Sequence, residues 1–142
     1  MFDWDGTLAD SVSRIVHAMR MAIDELGLPS HEDDAIREIV GLALPEALRA
    51  LYPDHGSELL AALQERYSAH FVAGDSAGCE FFPGALDMLD RLRADGWQLA
   101  VATSKSRRGL DRALRLSGLE GFFHATRCAD ETRSKPHPLM LQ

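Results

Sequence analysis

Basic residues and cysteines are both scarce in this sequence. The 142 residues include 15 lysines and arginines against 22 aspartates and glutamates, giving a formal net charge of -7. Because nucleic-acid phosphates are bound through basic patches, we expect no nucleic-acid partner. The two cysteines, Cys79 and Cys128, have neither the spacing of a metal motif nor the density of a disulfide framework. We therefore expect free thiols and a reducing, cytoplasmic compartment.

Long apolar runs are also missing. No segment approaches the length that spans a bilayer, and the N-terminus has neither the basic region nor the apolar stretch of a signal peptide, so we expect no membrane partner. The six histidines show no paired zinc-binding spacing. The composition, with 46% hydrophobic and 26% charged residues, is that of an ordinary globular protein with one domain or one domain and a modest insertion.

The first half of the chain has the periodicity of helices and no alternation typical of strands. Its first helix follows a possible cap at Ser11 and ends before Gly27. The pattern predicts four helices in all: residues 12–26, a stretch between 30 and 41, one that begins at Pro45, and residues 57–73.

The second half alternates between helix and strand patterns. A helix ending at Gly96 is followed by the apolar run "WQLAVAT" at 97–103, then by a helix near 106–117 and a short strand in "FFHATRC". Strand, helix, strand is the order of a parallel α/β sheet. We therefore predict an α/β core from residues 1–13 and 81–142, with residues 14–80 as an inserted helical domain.

Polar side chains follow each predicted strand. Asp3 and Asp5 come directly after "MF", Thr103 and Ser104 follow "LAVA", and Lys135 lies in the loop beyond "FFHATRC". The carboxyl ends of parallel strands meet at one edge of a sheet, so these groups should share a crevice. Carboxylates can bind Mg²⁺ or attack phosphorus, hydroxyls can hold phosphoryl oxygens, and lysine offsets their charge. The pattern favours phosphate chemistry.

Each of these features also has a purely structural interpretation. Asp, Gly and Thr are common turn and cap residues, and Thr103 with Ser104 could cap the next helix. Lys135 alone is typical of a solvated surface. The segment "SRRGLDR" is interpreted as a solvated helix face, with substrate contact by Arg107 or Arg108 as the alternative.

Three segments, "FDWDGTLADS", "VATSKS" and "RSKPHP", together resemble the first three motifs of the haloacid dehalogenase-like (HAD) phosphohydrolases, most closely the phosphoglycolate phosphatase-like members. The resemblance implies a Rossmann-like parallel sheet core with an inserted helical cap. It makes Asp3 the nucleophile and a Mg²⁺ ligand, and Asp5 the general acid and base, with its backbone carbonyl on the metal. Thr103, Ser104 and Lys135 match the phosphate-binding positions.

The resemblance implies a Mg²⁺-dependent phosphatase, monomeric or homodimeric, that acts on a small phosphorylated metabolite, with 2-phosphoglycolate favoured. A sugar-phosphate mutase and a non-catalytic binding module remain alternatives. The family's fourth acidic motif is missing before Gln142, and Asp130 and Glu131 precede the lysine instead of following it. The first strand also has only two residues. We therefore interpret the sequence as a piece of a longer chain and expect residues 1–142 alone to bind Mg²⁺ weakly.

Overall fold

The computed structural model describes residues 1–74 and 80–142, so the free thiol predicted at Cys79 lies outside the described residues. The helices and strands, in chain order, are α1 (Val12–Glu25), α2 (Asp33–Glu38), α3 (Leu44–Leu51), α4 (Ser57–Ala73), α5 (Ala85–Ala94), β1 (Ala100–Ala102), α6 (Arg107–Leu116) and β2 (Ala125–Arg127). A short 3₁₀ helix, Pro138–Leu141, follows. Among the described residues, no helix combines the length and the apolar character needed to cross a bilayer.

The chain divides into two compact units. The first, here called the α/β unit, contains Met1–Ser11 and Gly78–Gln142, and the second, the helical unit, contains Val12–Ala77. Each unit has its own cluster of buried apolar side chains. The action of the helical segment as a cap stays a prediction.

The sheet of the α/β unit is small and parallel. β1 pairs with β2 in a register that places Ala100 opposite Ala125, and α6 connects the two strands. On the other side of β1, Phe2 donates its N–H to the carbonyl of Ala100 at 2.8 Å and accepts from the N–H of Ala102 at 2.8 Å. This arrangement confirms the predicted α/β class.

β1 is shorter than predicted. The expected strand began at Trp97, but the side chain of Trp97 is exposed, and its backbone N–H donates to the carbonyl of Leu92 at 3.0 Å. That bond closes the C-terminal end of α5, so the residue belongs to the helix terminus. β1 is limited to three residues because β2 has only three residues to pair with it.

The core of the α/β unit surrounds Trp4, which is almost fully buried. Its ring contacts Phe81 and Phe123 edge to face, with centroids 5.8 and 6.4 Å apart. The segment after Trp4 is held by an antiparallel pairing in which Phe82 donates its N–H to the carbonyl of Leu8 at 3.0 Å. The first residues of the chain are thereby fixed within the α/β unit.

The helical unit is built from α1 to α4. α1 packs against α2 and α4, and α3 packs against α4. The described residues of this unit form no strand, and only an isolated bridge joins Val40 to Leu42. The helix-only texture of this segment is confirmed for residues 12–74. Its core side chains are Val16, Met19, Ala22, Ile23, Ile36, Ile39, Ala47, Leu48, Leu51, Tyr52 and Leu63.

Candidate active site

Asp3 directly follows Phe2, which forms an isolated parallel bridge with Val101 of β1. Its Oδ1 atom accepts hydrogen bonds from the backbone N–H of Trp4 at 2.7 Å and from Nζ of Lys135 at 2.9 Å. Among the described residues, no donor contacts the other oxygen, Oδ2. One oxygen of this carboxylate is therefore fixed, and the second is available to a metal or an electrophile.

Asp5 is more buried than Asp3 and contacts different groups. The turn that follows it uses Gly6, whose φ of 74° is accessible to glycine at little cost, and the Gly6 N–H donates to the carbonyl of Ala9 at 2.9 Å. The Asp5 side chain is only 7% exposed. Ser11 donates its hydroxyl to Oδ1 at 2.6 Å, and Nζ of Lys105 lies 3.1 Å from Oδ2. Both oxygens of Asp5 thus have partners.

Ser11 and Lys105 are site residues that sequence reasoning missed. The sequence pattern offered Ser11 only as a helix cap and assigned no role to Lys105. The spacing of Thr103 and Lys105, two residues apart in "TSK", is the feature that could have indicated a second cation at the strand end, because alternate residues face the same side. Lys105 is 13% exposed, which is unusual for a lysine without a function or a partner.

Thr103 and Ser104 follow β1 as predicted, but neither caps the next helix. The N–H of Thr103 donates to the carbonyl of Arg127 at 3.0 Å, and its buried Oγ1 accepts from the N–H of Lys105 at 3.2 Å. The cap of α6 is Ser106, whose hydroxyl accepts from the N–H of Gly109 at 3.2 Å. The cap interpretation of Thr103 and Ser104 is therefore wrong. Ser104 is half-buried, and its hydroxyl has no hydrogen-bond partner among the described residues.

Arg107 is not part of a solvated helix face. Its guanidinium contacts both carboxylate oxygens of Glu131, at 2.9 and 2.8 Å, and Nη1 donates to the hydroxyl of Thr126 at 2.9 Å. A weaker bond of 3.2 Å joins it to Asp111 on the same helix. The hydrogen bonds from Arg107 lower the pKa of Glu131 below its ordinary value. The solvated interpretation of Arg107 is wrong, and Glu131 is a partner of this arginine.

The oxygen atoms near Asp3 suit a magnesium ion. The free Oδ2 of Asp3 and the backbone carbonyl of Asp5 both lack donors among the described residues, and Mg²⁺ in proteins commonly takes one or two such oxygens together with water and substrate oxygens. Within residues 1–74 and 80–142, no group of three or more His, Cys, Asp or Glu side chains could hold a metal. The residues present thus fit a partial, oxygen-based Mg²⁺ site.

Cys128 is not a candidate nucleophile. The thiol is free, as predicted, and fully buried, and this burial raises its pKa to about 12. A neutral thiol is a poor nucleophile, because the thiolate is the reactive form. Cys128 is therefore not included in the candidate site.

The sequence profile of the haloacid dehalogenase-like hydrolase family matches residues 1–142. The chain belongs to this family. The three segments that suggested the resemblance supply Asp3, Asp5, Thr103, Lys105 and Lys135. In the structure, Asp5 pairs with Lys105, which follows β1, and Asp3 pairs with Lys135, which lies in the loop after β2.

Named relatives of this HAD-like chain differ in their described activities. The tyrosine-protein kinase PtkA of Mycobacterium tuberculosis is 40% identical over 124 residues, which cover 87% of this chain and 41% of PtkA. The phosphoglycolate phosphatase of Cereibacter sphaeroides is 30% identical over 147 residues, covering 100% of this chain and 67% of that enzyme. The chain thus spans about two fifths of the first relative and two thirds of the second.

The fold itself is shared with solved structures. A hydrolase from Pseudomonas syringae superposes with a TM-score of 0.88 at 24% identity, over 99% of this chain and 65% of the hydrolase. The match confirms the expected Rossmann-like HAD fold.

Proposed function

We propose that the protein containing this chain is a Mg²⁺-dependent phosphatase that hydrolyses a small phosphorylated metabolite through an aspartyl-phosphate intermediate. The observation that carries the proposal is that the two carboxylate oxygens of Asp3 differ in their hydrogen-bond partners. Lys135 and the N–H of Trp4 both contact Oδ1, which leaves Oδ2 free to attack phosphorus. Family membership supports the phosphatase class, and the phosphoglycolate phosphatase relative supports 2-phosphoglycolate as the substrate.

The proposed reaction has two displacements. In the first, Oδ2 of Asp3 forms a bond to phosphorus while the bond from phosphorus to the substrate oxygen breaks, and Asp5, which is protonated when the cycle begins, gives its proton to that leaving oxygen. In the second, Asp5 takes a proton from water, whose oxygen bonds to phosphorus while the bond from Oδ2 of Asp3 to phosphorus breaks, which releases inorganic phosphate and the Asp3 carboxylate. A bound Mg²⁺ would supply charge neutralisation for the phosphoryl oxygens. The Asp3 carboxylate and the backbone carbonyl of Asp5 are the groups that would bind it.

The contacts of Asp5 set a requirement for this chemistry. Ser11 and Lys105 contact its two carboxylate oxygens, so Asp5 must give up one of these partners before it can exchange a proton with the substrate. The Ser11 hydroxyl is the neutral partner, and releasing it leaves the contact between Lys105 and Oδ2 in place. We therefore expect Oδ1 to be the oxygen that transfers the proton.

The remaining positions have less direct support. Lys135 would offset charge on the phosphoryl group as well as on Asp3, and Ser104 has a hydroxyl free to donate to it. Thr103 is fully buried and contacts the N–H of Lys105, so its proposed phosphate contact needs a local movement of the loop. We further propose that residues 14–80 act as a cap over the substrate, and that the protein is cytoplasmic and monomeric or homodimeric.

The decisive test compares Asp3→Asn with Asp5→Asn in the protein that contains this chain. We expect Asp3→Asn to abolish the acid-stable phosphoenzyme and both substitutions to lower turnover at least about 100-fold, because each removes a group that makes or breaks a bond in every cycle. Phosphate release from 2-phosphoglycolate and from p-nitrophenyl phosphate is the measurement. Asp10→Asn, an exposed aspartate of the same segment, is the matched control and should retain turnover.

The outcomes separate the alternatives. Near-normal turnover by Asp3→Asn would overturn the mechanism. An isomerised sugar phosphate without release of inorganic phosphate would identify a mutase. Absence of any phosphoryl transfer in the unsubstituted protein would leave the non-catalytic binding module.

A second candidate function is transfer of a phosphoryl group to the hydroxyl of a protein tyrosine instead of to water. The 40% identity to the tyrosine-protein kinase PtkA favours it. Incubation with ATP labelled in the γ-phosphate and a tyrosine-containing protein distinguishes the two functions. Transfer of label to tyrosine would support the kinase, and release of all label as inorganic phosphate would support the phosphatase.

A further inference from the structure

Two loops of the α/β unit carry the lysines of the candidate site. We call residues 103–106, after β1, the first loop and residues 128–135, after β2, the second loop. Lys105 lies on the first and contacts Asp5, and Lys135 lies on the second and contacts Asp3. The distance between the two ammonium groups is therefore set by how these loops are joined.

The backbones of the two loops are joined close to the site. The N–H of Ala129 donates to the carbonyl of Lys105 at 2.9 Å. The backbone N–H of Arg107, the first residue of α6, donates to both carboxylate oxygens of Asp130 at 2.8 and 3.1 Å. These bonds place the start of α6 beside the second loop.

The side chain of Arg107 adds a second connection between the loops. Its guanidinium contacts Glu131 through two bonds of 2.9 and 2.8 Å, and the same Glu131 carboxylate accepts from the N–H of Cys128 at 2.9 Å. Both side chains are about one-third exposed, so water only partly screens the pair. Paired planar groups of this kind fix direction as well as distance.

We propose that Arg107 is a positioning residue that, through Glu131, sets the places of Lys105 and Lys135 relative to Asp5 and Asp3. Lys105 lies two residues before Arg107, and Lys135 lies four residues after Glu131. A rotation of the second loop at Glu131 would therefore move Lys135 away from Asp3. The consequence for turnover rests on the proposed function, whereas the placement of the loops can be measured without it.

The primary test is amide hydrogen exchange at the two loops. We expect Arg107→Gln and Glu131→Gln each to speed exchange of the Ala129 N–H about tenfold, since each removes the same charge-assisted contact. The double variant should speed exchange by less than the product of the two single effects, because both single variants lose the same contact between Arg107 and Glu131. Arg107→Lys, which keeps the charge but cannot form two parallel bonds, should give an intermediate rate. Arg115→Gln, an exposed arginine on the same helix, is the control and should leave the rate unchanged.

A kinetic measurement links this placement to the chemistry. In Arg107→Gln we expect kcat for p-nitrophenyl phosphate to fall about tenfold or more with a smaller change in KM, because misplaced groups weaken the transition state more than initial binding. The Arg107→Lys variant should recover part of kcat. Thermal unfolding of each variant shows whether the loss exceeds a general loss of stability.

The results test the positioning role of Arg107 separately from the proposed phosphatase activity. Equal exchange at Ala129 in Arg107→Gln and Arg115→Gln, an equal increase at every amide of the α/β unit, or an additive double variant would overturn the positioning role. Faster exchange at Ala129 without the expected fall in kcat would also overturn it. If the unsubstituted protein releases no phosphate, the phosphatase proposal fails, and the exchange rates still decide whether Arg107 fixes the loops.

Discussion

The two units of this chain differ in where they place their charged pairs. In the helical unit, the described ion pairs lie at the surface, as with Arg20 and Asp33, whose side chains are 58% and 40% exposed. In the α/β unit, Lys105 and Asp5 form a pair that is almost buried. Burying a charged pair has a desolvation cost that commonly cancels its Coulomb energy, so stability alone does not favour it. The buried pair is better explained by the phosphoryl chemistry that we propose for that place.

The two cores also differ in how the chain assembles them. The helical core comes from neighbouring helices with a continuous periodic pattern, whereas the α/β core joins Trp4 to Phe123 across more than a hundred residues of sequence. Local contacts are formed at a lower entropic cost than distant ones. We therefore expect a destabilising substitution in one core to affect mainly the unit that contains that core.

The largest expected effect tests this separation. Leu48 in the helical unit and Leu110 in the α/β unit are both fully buried, so replacing either by alanine should cost about 2–5 kcal/mol of unfolding free energy through the cavity it leaves. Amide exchange should accelerate mainly within the unit that carries the substitution. Exchange that accelerates equally in both units after Leu48→Ala would show that they unfold as one.

A smaller effect tests the difference between the charged pairs. Lys105→Met leaves the nearly buried Asp5 with only the Ser11 hydroxyl and should cost about 1–3 kcal/mol, while Arg20→Gln in the exposed pair should cost less than about 1 kcal/mol. Urea unfolding at neutral pH measures both. Adding Asp5→Asn to Lys105→Met should recover part of the loss. Equal costs for the two single variants would remove the distinction between the units.

The smallest effect is a pH dependence within the α/β unit. Arg107 lowers the pKa of Glu131 below its ordinary value of 4.5, so the folded state gains stability from this carboxylate above pH 4.5 and loses it as the pH falls through the lowered pKa. The difference in unfolding free energy between the unsubstituted chain and Glu131→Gln should therefore shrink below pH 4.5. Glu120→Gln, at an exposed position without a described side-chain contact, is the control. A difference that stays constant from pH 7 to about pH 3 would contradict the assignment.

Helices were predicted better than strands, for a physical reason. The helix at 57–73 has the predicted bounds because its hydrogen bonds lie within the segment itself. A strand, by contrast, depends on hydrogen bonds to a partner strand. The apolar run begins at Trp97, but only Ala100–Ala102 pair with β2. Apolar character alone could not reveal where that partner ends.

The site was predicted in part because motif residues are visible in sequence and their partners are not. Asp3 and Lys135 were chosen for their chemistry, and the structure places them 2.9 Å apart. Lys105 resembles a surface lysine until the turn after β1 brings it to Asp5. The Arg107–Glu131 contact joins residues 24 positions apart, and no periodicity in either segment indicates it.

The geometry around Asp3 breaks the mirror symmetry of a carboxylate. In free aspartate the two oxygens exchange by rotation and are chemically identical, but here a lysine and a backbone N–H both contact Oδ1, and Oδ2 has no described donor. Rotation of the carboxylate would have to break both bonds at once. The carboxylate can therefore bind an ion only as a monodentate ligand with a fixed direction. Chelation of one ion by both oxygens would require Lys135 to move away first.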